Sequence, residues 1–439
     1  MEQDLKEDLL EGGRGVGIDH CADHSTEPTG TAWEAFYNGP YWNIFFLALA
    51  YAWTLTTSTL LTTIGPLCAR GLGVSKALSA FTIGAFLIGA AVASVPSGHI
   101  FRTYGRLAGF RIGVMCQTVG AILGVLALVT NVSAFLFLGC FGIGLGQGMG
   151  QFYRFASVEL CPPELLKKAV TYVISGGVIS AFLGPTTAQW SAPLPPERFL
   201  GSFVAIGVIG LVHQLTINAV RFASAPAPAP APAPASAPSY ESVSNSDTIR
   251  SWGKIASQPM FGFSCAIATM AHTVMITLMS NVTLAIDESG YGFNTAVLVL
   301  ELHFFFMFAP GFFTASLLER YGSYRVSLLG SLASALSVVV LAVDGGLVGY
   351  VIGMMLNGLG WNLSFSAGTV MLTSCYSETE ATEVQGLNDF IIFSVAGSAS
   401  LLSGLLYGAE GWKVLVYTVG GLVSDALTLH YGVRGTIRG

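Results

Sequence analysis

Ionisable side chains are scarce inside the apolar stretches of this 439-residue chain, so the few that occur there are the ones with chemistry to offer. Gln147, Gln151 and Arg154 follow one another at i, i+4 and i+7, which sets three polar groups in one stripe on one helical face. Asn357, Trp361 and Ser364 make a second stripe, with Asn362 one step round. Asn388-Asp389, Glu301, His303 and His272 complete the set. The guanidinium of Arg154 can bind or pair with an anion. The carboxyls of Glu301 and Asp389 and the imidazoles of His272 and His303 can take up and release protons. The indole of Trp361 can stack on a planar or ring-shaped ligand while Asn362 fixes its orientation by hydrogen bonds.

Each residue also has a plainer reading. Arg154 can snorkel to a membrane surface, Trp361 can simply pack, and either histidine can be neutral and bonded to a helix carbonyl. Asp389 can serve its own half of the chain alone. What weighs against indifference is cost, because an ionisable group in a bilayer core costs about 2.5 to 3.5 kcal/mol on insertion scales and so usually faces a partner or a wet cavity. Glu301 and His303, two residues apart, point to opposite sides of a helix and cannot both face one cavity. No nucleophile–base set accompanies these groups, so the pattern suits binding and proton movement better than an intramembrane enzyme.

The elements that position these residues are long and apolar. Only 10% of the residues are charged and 52% are hydrophobic, against about 25% charged in an ordinary soluble protein. A spanning helix needs about 20 mostly apolar residues. Such runs occur at about 41–66, 79–100, 108–129, 132–156, 169–190 and 198–220, then at about 259–284, 293–317, 325–343, 346–373, 385–407 and 412–430. The expectation is an all-α integral membrane protein with twelve transmembrane helices in two six-helix repeats, without cofactor and in contact with the lipid bilayer.

The organisation expected is a polar tail at 1–40, a first half at 41–222, a linker at 223–257, a second half at 258–431 and a tail at 432–439. Ala225 to Pro238 is an Ala-Pro stretch, followed by Ser-rich sequence to Asp247, which predicts a semi-rigid tether without a core. Asp19-His20-Cys21-Ala22-Asp23-His24 gathers possible metal ligands, but no second cluster completes a tetrahedral site. The seven cysteines show no paired spacing, so neither a disulfide framework nor a zinc site is expected. The first 40 residues hold no apolar core with a cleavage site, so no signal peptide is expected. Nothing suggests nucleic-acid binding.

With both termini cytoplasmic, the inner segments carry Lys6, Arg14, Arg102, Arg106, Lys167, Lys168, Arg221, Arg250, Lys254, Arg320, Arg325, Arg434 and Arg438. The outer ones carry only Arg70, Lys76, Arg198 and Lys413. This bias sets the expected orientation. Two glycosylation sequons, Asn131-Val132-Ser133 and Asn281-Val282-Thr283, fall near expected outer helix ends.

The halves also repeat in sequence. The turn Arg102-Thr103-Tyr104-Gly105-Arg106 returns as Glu319-Arg320-Tyr321-Gly322, with Gly105 and Gly322 217 positions apart, and Gly144-Leu145-Gly146 returns 214 positions on as Gly358-Leu359-Gly360. Twelve helices in two halves, with a Gly-Arg loop after the second and its relic after the eighth, resemble the major facilitator superfamily over about residues 41–432. The resemblance is stronger to a mostly bacterial branch that includes proteins assigned as riboflavin transporters than to the sugar or drug branches. The stretches that carry it are Pro96-Ser97 through Gly105-Arg106 to Phe110, Gln151 to Ala156, Gly176-Gly177 with Gly184-Pro185, and Leu302-His303 with Met307 to Pro310. Further on they are Gly360-Trp361-Asn362, Gly368-Thr369, Leu372-Thr373, Gln385-Gly386 and Asn388-Asp389-Phe390. Against the superfamily pattern, Arg102 replaces an acidic residue, Leu107 a second basic one, and no arginine stands near Leu138. Ser180 and Ala188 break the antiporter signature around Gly184-Pro185.

The resemblance implies a monomeric secondary transporter of a small organic solute in the plasma membrane, with protons as the default coupling ion. It implies that the first, fourth, seventh and tenth helices line a central cavity, with Gln147, Gln151, Trp361, Asn362 and His303 as substrate contacts. Arg154, Asn388, Asp389, Glu301 and His272 would gate or couple, Arg154 and Asp389 pairing across the halves at the inner side. Gly105, Arg106, Arg320 and Gly322 would form the cytoplasmic loop motif. The alternative is a transporter-like sensor or scaffold that binds a ligand without moving it.

Overall fold

Hydrocarbon offers no hydrogen bonds, so a chain crossing it must satisfy its backbone within each segment, and helices do so. In the computed structural model, which describes residues 37, 39–162, 165–222, 250, 252–343, 345–377 and 380–433, every long element is a helix. The ligand candidates Asp19, His20, Cys21, Asp23 and His24 of the N-terminal tail, the Ala-Pro stretch and residues 434–439 lie outside the described residues. All the helices below belong to one compact unit that begins at Pro40.

The first six are α1 (Pro40–Gly71), α2 (Lys76–Tyr104), α3 (Arg106–Thr130), α4 (Ser133–Gly150 continuing as Tyr153–Glu159), α5 (Leu166–Ser191) and α6 (Leu200–Asn218). After a short helix, Trp252–Ala256, come α7 (Pro259–Glu288), α8 (Phe293–Phe308 continuing as Gly311–Tyr321), α9 (Ser323–Val343) and α10 (Leu347–Thr373). The last helical run, Ala381–Val433, divides at Gly411, whose φ is 80°, into α11 (381–410) and α12 (412–433). Nine helices among the described residues are long and apolar enough to cross a membrane, the run containing α11 and α12 counting once. Dividing that run, and adding α5 and α10, which are long but richer in Gly, Ser and Thr, brings the passes to twelve.

Two helices are single spans, as expected, but each is interrupted by a turn through which the backbone stays right-handed. The α8 break falls at Ala309-Pro310, where proline has no N–H to donate to the preceding turn. The α4 break at Gln151-Phe152 follows a run of alternating glycines, Gly146, Gly148 and Gly150.

Helices meet in the same pattern in both halves. Within α1–α6 the contacts are α1 with α5, α2 with α4, α3 with α4 and α3 with α6; within α7–α12 they are α7 with α11, α8 with α10, α9 with α10 and α9 with α12. The sequence repeats lie on this symmetry. A Cβ on Gly144 would overlap the Phe86 carbonyl of α2, and one on Gly358 would overlap the His303 carbonyl of α8. Phe86 and His303 are 217 positions apart, as are the two Tyr-Gly turns. Both turn glycines, Gly105 (φ 84°) and Gly322 (φ 80°), hold left-handed backbone that disfavours any side chain. His213 of α6 and His430 of α12, again 217 apart, are both buried, bonding Tyr153 Oη (2.8 Å) and Ser327 Oγ (2.9 Å).

The halves join along two seams. Between α2 and α11, Cβ atoms added at Gly84 and Gly386 would stand 2.9 Å from the Gly397 carbonyl and 3.1 Å from the Ser94 carbonyl. Between α5 and α8, one at Gly177 would stand 2.7 Å from the Phe308 ring. Small residues let backbones approach where apolar burial gives no drive in lipid. One stretch of the expected linker is anchored. Arg250 Nη2 donates to Glu380 Oε2 at 2.7 Å and to the Cys375 carbonyl at 3.0 Å, and Ile255 is buried against Phe261 and Leu372. The guanidinium and the backbone N–H groups of Ser377 and Arg250 hold the Glu380 carboxyl well below the usual carboxylate range.

Asn281 is not at a helix end. It lies seven residues inside α7, fully buried, donating to Ser403 Oγ at 2.9 Å, so its sequon is closed to glycosylation; Asn131, at the left-handed C-cap of α3, is exposed.

The glycine contacts give a direct test. Gly144→Val should destabilise the purified protein by about 1–3 kcal/mol through overpacking, read as a lower unfolding midpoint in detergent. Gly207→Ala, where the nearest atom is 3.9 Å away, should leave it unchanged.

Candidate functional site

The interior polar residues gather where α1, α4, α7, α10 and α11 face one another. On α4, Gln147, Gln151 and Arg154 are all buried. Arg154 Nη2 stands 3.5 Å from Asp389 Oδ2 of α11, and Asn388 Nδ2 donates to the other carboxylate oxygen at 3.4 Å. This contact is longer than the 2.7–2.9 Å of a tight charged hydrogen bond. The Arg154 guanidinium lies 4.8 Å from the Phe155 ring centre, and its Nε has no partner among the described residues. Tyr51 of α1 donates to Gln151 Oε1 at 3.5 Å, while Gln147 Oε1 has no partner among the described residues.

One turn along α11 from Asp389 is Phe393, on the same helical face. It leads into a group of rings. Trp361 and Phe365, one turn apart on α10, are stacked with centroids 4.7 Å apart and planes 13° from parallel. His272 of α7 meets Trp361, Phe365 and Phe393 at 5.8, 5.9 and 5.6 Å, and Trp361 Nε1 donates to His272 Nδ1 at 2.9 Å. Phe308, just before the α8 break, closes on Trp361 at 6.3 Å. A charged pair that spans the halves and an aromatic box built from the second half are thus contiguous. The box's Phe308 rests on α5.

Other expected site residues are turned elsewhere. Asn362 spends both ends of its amide on α8, accepting from Thr314 Oγ1 at 2.6 Å and donating to the Met307 carbonyl at 2.8 Å, so it braces the α8 break. His303, fully buried, bonds the Met354 carbonyl through Nδ1 at 2.8 Å and lies in the α8–α10 contact. Glu301, on the opposite side of α8, accepts from Thr186 of α5 at 2.7 Å. Asn357 donates to the Met275 carbonyl at 3.5 Å, and Ser364 to Ser327 on α9 at 3.2 Å. At the Tyr-Gly end, Arg106 Nε donates to Glu159 at 3.0 Å, tying the start of α3 to the end of α4. Arg320 lies over the Tyr321 ring instead, with its centre 5.4 Å away. Sequence reasoning missed Phe308, Phe365, Phe393 and Tyr51; the one signal was the helical spacing of Phe365 from Trp361 and of Phe393 from Asp389.

Both ends of the cleft are bridged. Arg102 of α2 pairs with Glu383 of α11 at 3.0 Å at the Tyr-Gly end. At the opposite end Lys76 pairs with Glu288 at 2.7 Å, the same carboxylate accepts from Tyr407 at 2.8 Å, and Lys76 lies 4.2 Å from the Tyr407 ring centre.

Two six-helix units with equivalent contacts and a polar site between them are the architecture of one family, and residues 44–399 match the model of the Major Facilitator Superfamily. The chain belongs to the Major Facilitator Superfamily. It is an integral, multi-pass membrane protein and a secondary transporter, moving a small solute by alternating access rather than converting it. The riboflavin transporter RfnT of Brucella anthropi is 29% identical over 403 residues, 90% of this chain and 96% of that protein. An MFS-type transporter of Bacillus subtilis, YddS, is 21% identical over 373 residues, 84% of each chain. Among solved structures, the xylose transporter XylE from E. coli, in a partially occluded inward open conformation, superposes with a TM-score of 0.65 at 11% identity, covering 89% of this chain and 99% of that one. The nucleoside transporter NupG gives 0.60 at 12% identity with the same coverage. These two likenesses speak for the fold.

Removing one member of a buried ion pair strands the other, at a cost of about 3–5 kcal/mol. Arg154→Ala and Asp389→Ala should therefore each lower the unfolding midpoint in detergent. Arg154→Met combined with Asp389→Leu should lower it less than either single change.

Proposed function

We propose that the transporter carries a planar, hydrogen-bonding heteroaromatic solute of the flavin class, moved together with protons. The observation that carries this reading is the aromatic box: a stacked Trp361–Phe365 pair flanked by His272, Phe308 and Phe393, one helical turn from the Arg154–Asp389 pair. Such a box favours a flat ring over a sugar-like solute, since aromatic pairs contribute about 0.5–1.5 kcal/mol beyond area burial. The likeness to RfnT, a riboflavin transporter, supports the same class.

Arg154 and Asp389 are the gate at the cytoplasmic side. Their loose contact suits a bridge that forms when the cavity faces outward and parts when it faces inward. Lys76, Glu288 and Tyr407 bridge the opposite, outer side. Asp389 and Glu301 are the carboxyls placed to carry the coupling proton, Asp389 in the gate and Glu301 against Thr186 on the α5–α8 seam. The excess of Lys and Arg at the Tyr-Gly end assigns that end, both termini and the linker to the cytoplasm, with the protein in the plasma membrane as a monomer. The segments 1–40, 41–222, 223–257, 258–431 and 432–439 act as tail, half, tether, half and tail, with Arg250 and Ile255 of the tether fixed to the second half.

Riboflavin uptake by cells expressing the chain, against empty cells, is the test. Trp361→Ala should reduce uptake about tenfold. Arg154→Asp and Asp389→Arg should each abolish it and in combination restore part of it, and Glu301→Gln should flatten its dependence on external pH. Uptake no greater than in empty cells would remove the flavin reading; riboflavin binding without uptake would make the protein a sensor.

A further inference from the structure

The Trp361–His272 hydrogen bond fixes more than a distance. An indole nitrogen only donates, so the imidazole nitrogen it meets, Nδ1 at 2.9 Å, must present a bare lone pair. In a neutral ring the hydrogen is then on Nε2. Nε2 has no hydrogen-bond partner among the described residues, and the rings around His272 are Trp361, Phe365 and Phe393. Phenyl rings supply no acceptor of ordinary strength. The centre of the aromatic box therefore holds one oriented, unspent N–H donor.

We propose that His272 Nε2–H is the specificity-determining donor of the site, given to a carbonyl oxygen or a bare ring nitrogen on the solute, and that Trp361 is its positioning residue. This rests on the reading of the box as the solute site. It moves His272 from proton coupling to recognition, because a proton arriving at Nδ1 would need the lone pair that Trp361 occupies. A site that keeps a buried donor for its ligand rejects ring compounds lacking the matching acceptor, since binding them leaves the donor unpaired and desolvated. Flat hydrocarbons of the right size are excluded by this device, and rings bearing carbonyl or pyridine-type nitrogen are selected.

The experiment has two arms on the full-length protein in nanodiscs. In the first, nitrogen NMR of histidine-labelled protein without ligand reads the His272 tautomer, its signal identified by its loss in His272→Gln. The expected result is a bare Nδ1 and a protonated Nε2, with the preference relaxed in Trp361→Phe. A protonated Nδ1 overturns the proposal. In the second, riboflavin binding is followed by quenching of flavin fluorescence. His272→Phe should weaken binding about tenfold or more, and His272→Gln, which returns a donor near the Nε2 position, should recover most of it. Equal affinity of His272→Phe and wild type overturns the proposal, as does a His272→Gln no better than His272→Phe when both remain folded. Failure of the wild type to bind riboflavin overturns the flavin reading instead, and the tautomer then decides this one.

Discussion

The bilayer core supplies no water, and a polar group taken into it is costly unless it finds a partner inside the protein. The placement of the polar residues follows from that constraint. The serines and threonines of the helices bond back to carbonyls a turn earlier, as Thr54 does to Ala50 and Ser94 to Ala90. The costlier groups are drawn to where the halves face one another: Arg154 to Asp389, Glu301 to Thr186, Lys76 to Glu288. Arg154 with Asp389 is a single long contact, whereas Lys76 meets both Glu288 and the Tyr407 ring.

Apolar packing is used differently. Inside each half, glycine contacts such as Gly144 on Phe86 and Gly358 on His303 bring backbones together and make α1–α6 and α7–α12 stiff bodies. Between halves, α2 against α11 and α5 against α8 use glycine as well, giving smooth seams along which two stiff bodies can rock. The aromatic box sits between these seams and takes rings from α7, α8, α10 and α11, with α8 resting on α5.

Much of the fold was legible because lipid imposes a length and a composition on each pass; all but α5 and α10, which meet the length with more Gly, Ser and Thr, satisfy both. The two repeat offsets, 217 and 214 positions, carried the symmetry. What periodicity cannot give is the neighbour that a helical face meets. Asn362 is one step from Trp361, and that step turns it to Thr314 and Met307 on α8. His303 likewise faces the α10 backbone. Asn281 was placed near a helix end because α7 was expected to stop at about 284, whereas it runs to Glu288. Phe308, Phe365 and Phe393 gave no signal of their own, since a phenylalanine in an apolar run is ordinary; only the three-dimensional meeting of four helices makes them a site.

In the proposed cycle the two halves open alternately at their two ends around the Arg154–Asp389 pair. Paired spin labels would test it most directly, one pair at exposed Tyr104 and Tyr321 by the Tyr-Gly turns and one at exposed Leu78 and Tyr291 at the other end. Replacing Asp389 by Asn should lengthen the first distance and shorten the second. Distances that change in the same sense, or not at all, would contradict the account.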